Sequence, residues 1–416
     1  MSRKSATRLT LSAIMLFEVS ACLLLALRGN PIDLRALGLA AGLPVLAWIS
    51  VNVIAKRLHA DAMLVMLMSF LCGLGVILLY GLSPARGLRH LQIYMVGIVA
   101  FAVCMVAVRL IHDWRALCWL MLPLCVLLLL LPVAIGQEIN GAKNWIAVPF
   151  LGSFQPSEFA KVALVIVLAQ FFTSLRGVRG MLPALLFAVG CLGALMLQKD
   201  MGMAVMYYLV TLLMYWAASS NAMFTLLGAV GGVAASFLGY AMFAHVKVRV
   251  AIWRNPWSDA LGKGYQIVQA LMAIASGGIF GLGLGMGQSR VIPEYSTDFI
   301  FAVLCEQFGI LFGVCVVAMY VIIVLRGIAI ALSARTSFNA LLALGCSLLI
   351  GLQTFVIIGG VIKMIPLTGI TLPFVSYGGS SLVACMGIVG LLCGVAAKNS
   401  EARREDQRLA LLTEAV

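Results

Sequence analysis

The sequence predicts an all-α fold, a polytopic transmembrane helical bundle of about 12 spans with a long extracytoplasmic loop containing an interfacial helix. Three observations carry this expectation. Of 416 residues, 63% are hydrophobic and only 10% charged, and the mean hydropathy is +1.10, a balance foreign to soluble globular domains. The apolar residues fall into about twelve runs, each near the roughly 20 residues that cross a hydrocarbon core of about 30 Å. Those runs leave no stretch long enough for a separate soluble domain.

The first run, LTLSAIMLFEVSACLLLAL, follows the basic start MSRKSATR. It is longer than the apolar core of a cleavable signal peptide and reads as a retained span. Glu18 lies inside it. A carboxylate at mid-span costs about 2.5–3.5 kcal/mol, so Glu18 reads as a buried group holding helices together rather than a catalytic one. The predicted spans are 9–27, 34–54, 62–81, 90–111, 116–136, 159–175, 181–197, 202–218, 222–243, 298–325, 337–360 and 380–397. An even number returns both termini to one side. Lys56, Arg57, Arg109, Arg115, Arg326 and Arg335 fall in turns on that side, and both tails are basic, so it is read as cytoplasmic. The apolar stretch 264–287 would break the parity if it crossed. Its Gln266, Gln269 and Ser276, and the glycines that follow, predict instead a helix lying in the interface and then a flexible turn.

The net charge of +13 comes from 28 Lys and Arg against 15 Asp and Glu. With no basic block interleaved with aromatics, it points to membrane topology and headgroups rather than nucleic acid. Eleven cysteines, none in a CxxC pair, read as small buried residues, and four scattered histidines exclude a protein-built metal cage. GLGLGMG has no preceding strand and is not a nucleotide loop.

The outer face is expected to consist of 137–158, 198–201, 244–297 and 361–379. It holds basic groups against the positive-inside trend, which calls for an anionic partner such as a pyrophosphate. Glu158 and Lys161 stand three apart on one helical face and can pair, either as a structural ion pair or as a substrate site. Asp298, in PEYSTDFIF, is either the N-cap of its helix or a general base whose pKa is lifted by partial desolvation.

Several strings then occur in an order that resembles the SEDS family (shape, elongation, division and sporulation), the group containing FtsW, RodA and SpoVE. They are NGAKNWI at 140–146, FQPSEFAK at 154–161, QKDMG at 198–202, PEYSTDFIFAVLCEQFG at 293–309 and IPLTGITLPFVSYGGSS at 365–381. The resemblance runs from about 62 to 397. It implies a peptidoglycan glycosyltransferase that polymerises lipid II, releases undecaprenyl pyrophosphate with inversion, and works with a class B penicillin-binding protein. It maps the family's essential aspartate onto Asp298 and its lysine after QPSE onto Lys161. In that chemistry Glu158 orients Lys161; Lys143, Arg249 and Lys363 join in stabilising the leaving pyrophosphate; Ser376 and Tyr377 shape a tight loop beside it. A divalent cation (Mg2+ or Mn2+) bridging the pyrophosphate is compatible with the absence of a protein-only cage. The resemblance divides the chain into two additional N-terminal helices (1–60), a ten-helix core (61–398) and a cytoplasmic tail (399–416). Asn144, Lys199 and Gln307 depart from the family pattern. The rival reading is a lipid II flippase, for which the intramembrane acids Glu18 and Glu306 are few.

Overall fold

The computed structural model describes residues 3–139, 142–148, 152–173 and 178–414. Asn140 and Gly141, the first two residues of NGAKNWI, lie outside them. In chain order the helices are α1 (Arg3–Arg28), α2 (Leu34–Leu58), α3 (Ala62–Leu82), α4 (Pro84–Leu110), α5 (Arg115–Ile135), α6 (Pro156–Phe172), α7 (Val178–Leu197), α8 (Met201–Ser219), α9 (Ala222–Met242), α10 (Ala244–Arg254), α11 (Tyr265–Gly277), α12 (Ile300–Leu332), α13 (Ser337–Val361) and α14 (Gly379–Glu414). The helices start where local chemistry allows. Asp33, Asp61, Asp200, Asn221 and Thr336 each accept a backbone N–H of the following first turn, while Pro84 and Pro156 occupy first-turn positions that need no donor.

Among the described residues, eleven helices are long and apolar enough to cross a membrane. The twelfth expected span, 159–175, corresponds to α6, which has 17 residues and lies at the centre of the bundle, with nearly every side chain buried by protein. At the other extreme α9 buries none of its residues and touches α8 through Gly228 and Gly232, against Tyr208 and Leu212. The predicted last span, 380–397, continues without a break to Glu414.

Loops expected on a common side do meet. At one end Arg326 grips Asp61 through two nitrogens (2.8 and 2.6 Å), Arg109 bonds Leu58 O and Glu401, and Arg335 pairs with Asp406. At the opposite end the segment expected as a plain loop at 137–158 holds a small antiparallel sheet. Its strands are β1 (Gln137–Ile139), β2 (Ala142–Val148) and β3 (Gly152–Phe154), with Gln137 opposite Trp145 and Ile146 opposite Phe154. Strands this short carry little periodic signal.

The stretch 264–287 does not cross. α11 has 13 residues and ends at Gly278 (φ +55°). The glycine run after it, expected to be flexible, is pinned instead. α12 is interrupted at Gly309 (φ 85°, ψ 166°), and the exposed backbone groups pair with the run: Leu282 N to Glu306 O (2.9 Å), Gly283 N to Gln307 O (3.0 Å) and Ile310 N to Gly278 O (2.9 Å). The Glu306 carboxylate accepts from Gln288 N (2.9 Å) and Ser289 N (3.0 Å). A membrane bundle has no water to satisfy a broken helix, so protein must do it.

The first two helices form a satellite core with one face of α3, built on Cys22, Ala26, Ala36, Leu43, Val76 and Ile77. Glu18 is buried in α1 against Gly73 of α3, as expected for a residue at a helix contact.

Gly309→Ala is expected to lower the midpoint of thermal unfolding in detergent by several degrees. Its backbone region is open essentially to glycine alone, at a cost of about 1–3 kcal/mol for other residues, and a Cβ would collide with Ile279 O. Thermal unfolding of the purified parent and variant measures it.

Candidate active site

The end of the bundle that carries the sheet holds a cleft of about 360 Å³. Its wall comes from seven separate stretches: the first turn of α4 (Arg86), the β2–β3 hairpin (Asn144, Trp145, Ser153), the start of α6 (Gln155, Glu158), the α7–α8 turn (Lys199, Asp200), α10 (Arg249) and the two loops 294–298 and 368–379. All of them belong to the side that the span count assigns to the outer face.

Asp298 lies in the turn before α12, whose first helical residue is Ile300, so it is not a residue of the span. It does not cap the helix: no side chain caps α12. Instead the carboxylate faces the cleft, half-buried. Burial, and next the charge of Glu294, push its carboxyl from 3.8 up to about 7, against the opposing pull of the Thr297 hydroxyl and of Arg249.

The turn is held from the far side by the 372–379 loop. Tyr377 N donates to Ser296 O (2.8 Å), and the Ser376 hydroxyl donates to Thr297 O (2.6 Å) while accepting from Leu372 N (2.8 Å). Ser376 is thereby committed to the backbone on both sides of its oxygen, while Tyr377 and Gly378 reach the cleft wall. Gly369 (φ +77°) faces the same carboxylate, its Cβ direction aimed at Asp298 Oδ2 and Arg249 Nη2.

Three cations share the cleft with the carboxylate. Arg249 Nη1 donates to Thr368 O (3.1 Å). Arg86 donates to the Ser296 hydroxyl (2.9 Å) and lies over the Tyr295 ring, 5.0 Å from its centroid. Lys199 is exposed at the rim with φ +60°. Across from them Asp200 takes Asn144 Nδ2 (2.7 Å) and Gln155 Nε2 (3.3 Å) on one oxygen and Met203 N (3.1 Å) on the other. Burial raises its pKa above the usual 3.8, and the hydrogen bond from Asn144 is the largest effect pulling the other way.

The two residues expected as a pair are one. Lys161 and Glu158 form a salt bridge, both shielded from solvent. Glu158 touches the cleft, whereas Lys161 sits one turn deeper and donates to Gln353 Oε1 (2.7 Å). Gln353 in turn donates to Thr371 O (2.8 Å) and Ser381 Oγ (3.3 Å), and Thr371 lines the cleft. The pair thus underlies the floor of the site and braces the 368–379 loop from beneath.

Of the eight residues singled out in the sequence, Asp298, Glu158, Arg249 and Tyr377 line the cleft, and Lys161 and Ser376 support it. Lys143 and Lys363 do neither. Lys143 Nζ donates to Val133 O (2.8 Å), and Lys363 contributes a backbone carbonyl to Trp253 Nε1 (3.2 Å) at φ +63°. Sequence reasoning missed Arg86, which falls in the short gap between the predicted spans 62–81 and 90–111 and is in fact in the first turn of α4, and gave no role to Asp200 and its partner Asn144. The two arginines, Arg86 and Arg89, in the outer turn ahead of the 90–111 run were the signal available.

Residues 45–401 match the family model described as cell cycle protein, FtsW/RodA/SpoVE. Among curated proteins, the peptidoglycan glycosyltransferase RodA of Mycobacterium tuberculosis is 33% identical over 404 residues, covering 88% of this chain and 84% of its own. Stage V sporulation protein E of Bacillus subtilis is 34% identical over 362 residues, covering 82% and 98%. Among solved structures, a chain from a peptidoglycan synthase complex superposes with a TM-score of 0.69 at 26% identity, covering 82% of this chain and 98% of that one. RodA of Thermus thermophilus gives 0.60 at 27%, covering 82% and 97%. With its helices, its cleft and its motifs in that order, the chain belongs to the FtsW/RodA/SpoVE family of cell cycle proteins.

Proposed function

We propose that the chain is a peptidoglycan glycosyltransferase that polymerises lipid II at the cleft beside Asp298, in a multi-pass membrane protein. The activity is the one for which its RodA relatives are named. One observation carries the assignment to this site: a half-buried carboxyl pushed up to about 7, sharing a cleft with two guanidinium groups and a lysine. A carboxylate of ordinary acidity is a weak base. One near 7 is half ionised at neutral pH and closer to the proton affinity that general-base transfer needs.

In the reaction Asp298 accepts the proton of the acceptor sugar's hydroxyl as its oxygen bonds to the donor's anomeric carbon. The bond from that carbon to the pyrophosphate breaks with inversion, and its electron pair departs on the phosphate oxygen. Arg86, Arg249 and Lys199 neutralise the charge that develops there. Because both guanidinium groups are already oriented by a hydroxyl and a carbonyl, they reorganise little as charge arrives. Glu158 and Lys161 keep the Thr371 side of the floor in place through Gln353. A divalent cation, Mg2+ or Mn2+, would be held here by Glu294 and Asp298, neighbouring carboxylates in the cleft, together with the substrate rather than by a protein-only cage, since no three His, Cys, Asp or Glu converge among the described residues. When bound it would supply further neutralisation of the pyrophosphate.

In this reading the cleft opens on the extracytoplasmic side of the bacterial plasma membrane and both termini are cytoplasmic. A class B penicillin-binding protein is the partner. The likeness to a synthase complex that coordinates polymerisation with crosslinking supports that choice.

Purified protein given fluorescent lipid II, with its transpeptidase, should form polymer, and Asp298→Ala should form none. Polymer from a folded Asp298→Ala variant would overturn the assignment, and lipid transport without polymer would favour the flippase. Because the ionised carboxylate is the active form, kcat/KM should rise about tenfold per pH unit below about 7 and level off above it.

The same carboxyl predicts a stability effect of fixed sign. Its folded pKa of about 7 exceeds the ordinary 3.8, so the folded state holds the proton more tightly and loses stability as pH rises between those values. Asp298→Asn should therefore melt higher than the parent above pH 7, with the difference vanishing near pH 4. Melting scans across that range in detergent measure it.

A further inference from the structure

We infer that the additional N-terminal helices act as a brace for the loop that carries Asp298, with Arg28 as a positioning residue. This rests on Asp298 being the catalytic group.

Arg28 is the last residue of α1, and its guanidinium donates to Gly285 O. Gly285 is in the middle of the pinned glycine run, and its N–H donates to the Gln307 side chain (3.1 Å). Only glycine suits it: φ is +71°, and a Cβ would occupy the place of the Arg28 guanidinium. Three residues on, Gln288 N and Ser289 N close onto the Glu306 carboxylate. A short 3₁₀ turn, Ser289–Val291, follows, and Arg290 donates to Gly81 O (3.2 Å) at the end of α3. Ile292 is buried next, and the 294–298 turn begins.

A second contact works on the same element from below. Phe17, midway along α1, stacks on Phe312 with centroids 5.8 Å apart and lies 6.0 Å from Phe308. Phe308 and Phe312 flank the break at Gly309, so α1 grips both sides of it. Leu284 completes the seam by packing against the satellite core of α1, α2 and α3. The satellite helices therefore touch the glycine run and the break in α12 through a hydrogen bond, an aromatic stack and an apolar contact, and reach the 294–298 turn only through that run. None of the three reaches the cleft itself. Arg28 and Phe17 also precede residue 45, where the family match begins.

The 294–298 turn is fixed on one side by Ser376 and Tyr377; the brace fixes the other. Releasing it lets the carboxylate move relative to the cations, which costs turnover rather than substrate binding.

The test is hydrogen exchange and steady-state kinetics on the full chain. Arg28→Ala should speed amide exchange at 283–298 while leaving α13 and α14 unchanged. It should lower kcat about tenfold with KM unaltered, and Arg28→Lys, which restores a donor, should recover most of it. Leu24→Ala, on an exposed face of α1, should change neither. Unaltered exchange at 283–298 in Arg28→Ala would overturn the brace. Faster exchange with parental kcat, or an equal loss that Arg28→Lys does not recover, would overturn its role in positioning. Exchange needs no turnover, so failure here is separable from failure of Asp298 as the base, which Asp298→Ala reports.

Discussion

The whole arrangement depends on one constraint: inside a bilayer, each backbone polar group must find its partner within the protein. Where the helices are regular the constraint is met locally, at caps such as Asp33 and Asp61. Where α12 breaks at Gly309, it is met by a distant segment, which is why residues 278–289 fold down against 306–311 instead of looping freely. The break and the glycine run are two halves of one feature. Without the break the run would have nothing to pair with, and without the run the break would leave peptide groups bare.

Charge is distributed on a second logic. At the end bearing Asp61, Arg326, Arg335 and Asp406, opposite charges close on each other and the surface is locked. At the cleft end the cations are oriented by neutral groups, Ser296 and Thr368, so their field is left for a ligand. The exception is Lys161, which is neutralised by Glu158 and bonded to Gln353 beneath the floor. Its place explains why a lysine so deep in a bundle is tolerable: it never stands alone. Charge pairs with charge at one end of the molecule, while at the other the cleft cations are held by neutral groups.

Much of this was legible beforehand. Hydropathy located the helices because length and apolarity are what a bilayer demands, and the i, i+3 spacing of Glu158 and Lys161 gave their ion pair. Motif order singled out Asp298, which lines the cleft. Contacts that depend on distant parts of the chain were not legible. Nothing in the neighbourhood of Ser376 says that its hydroxyl serves Thr297, or in that of Lys143 that its ammonium folds back to Val133. Arg86 was hidden by the shortness of the gap between two predicted spans. The glycine run was misjudged because glycine raises backbone freedom only while the peptide groups stay unpaired, and the partner lay in another helix. The small sheet escaped for a simpler reason, being three strands of at most seven residues.

The interruption of α12 also divides that long rod mechanically. Beyond Gly309 towards Arg326 it is an uninterrupted shaft, anchored at Asp61. Before it, the nine residues Ile300–Phe308 are packed in the core and tied to the glycine run through the carbonyls of Glu306 and Gln307. The shaft therefore reaches the site through a backbone joint rather than a continuous rod, and the carboxylate takes its bearing from neighbours at its own end of the bundle.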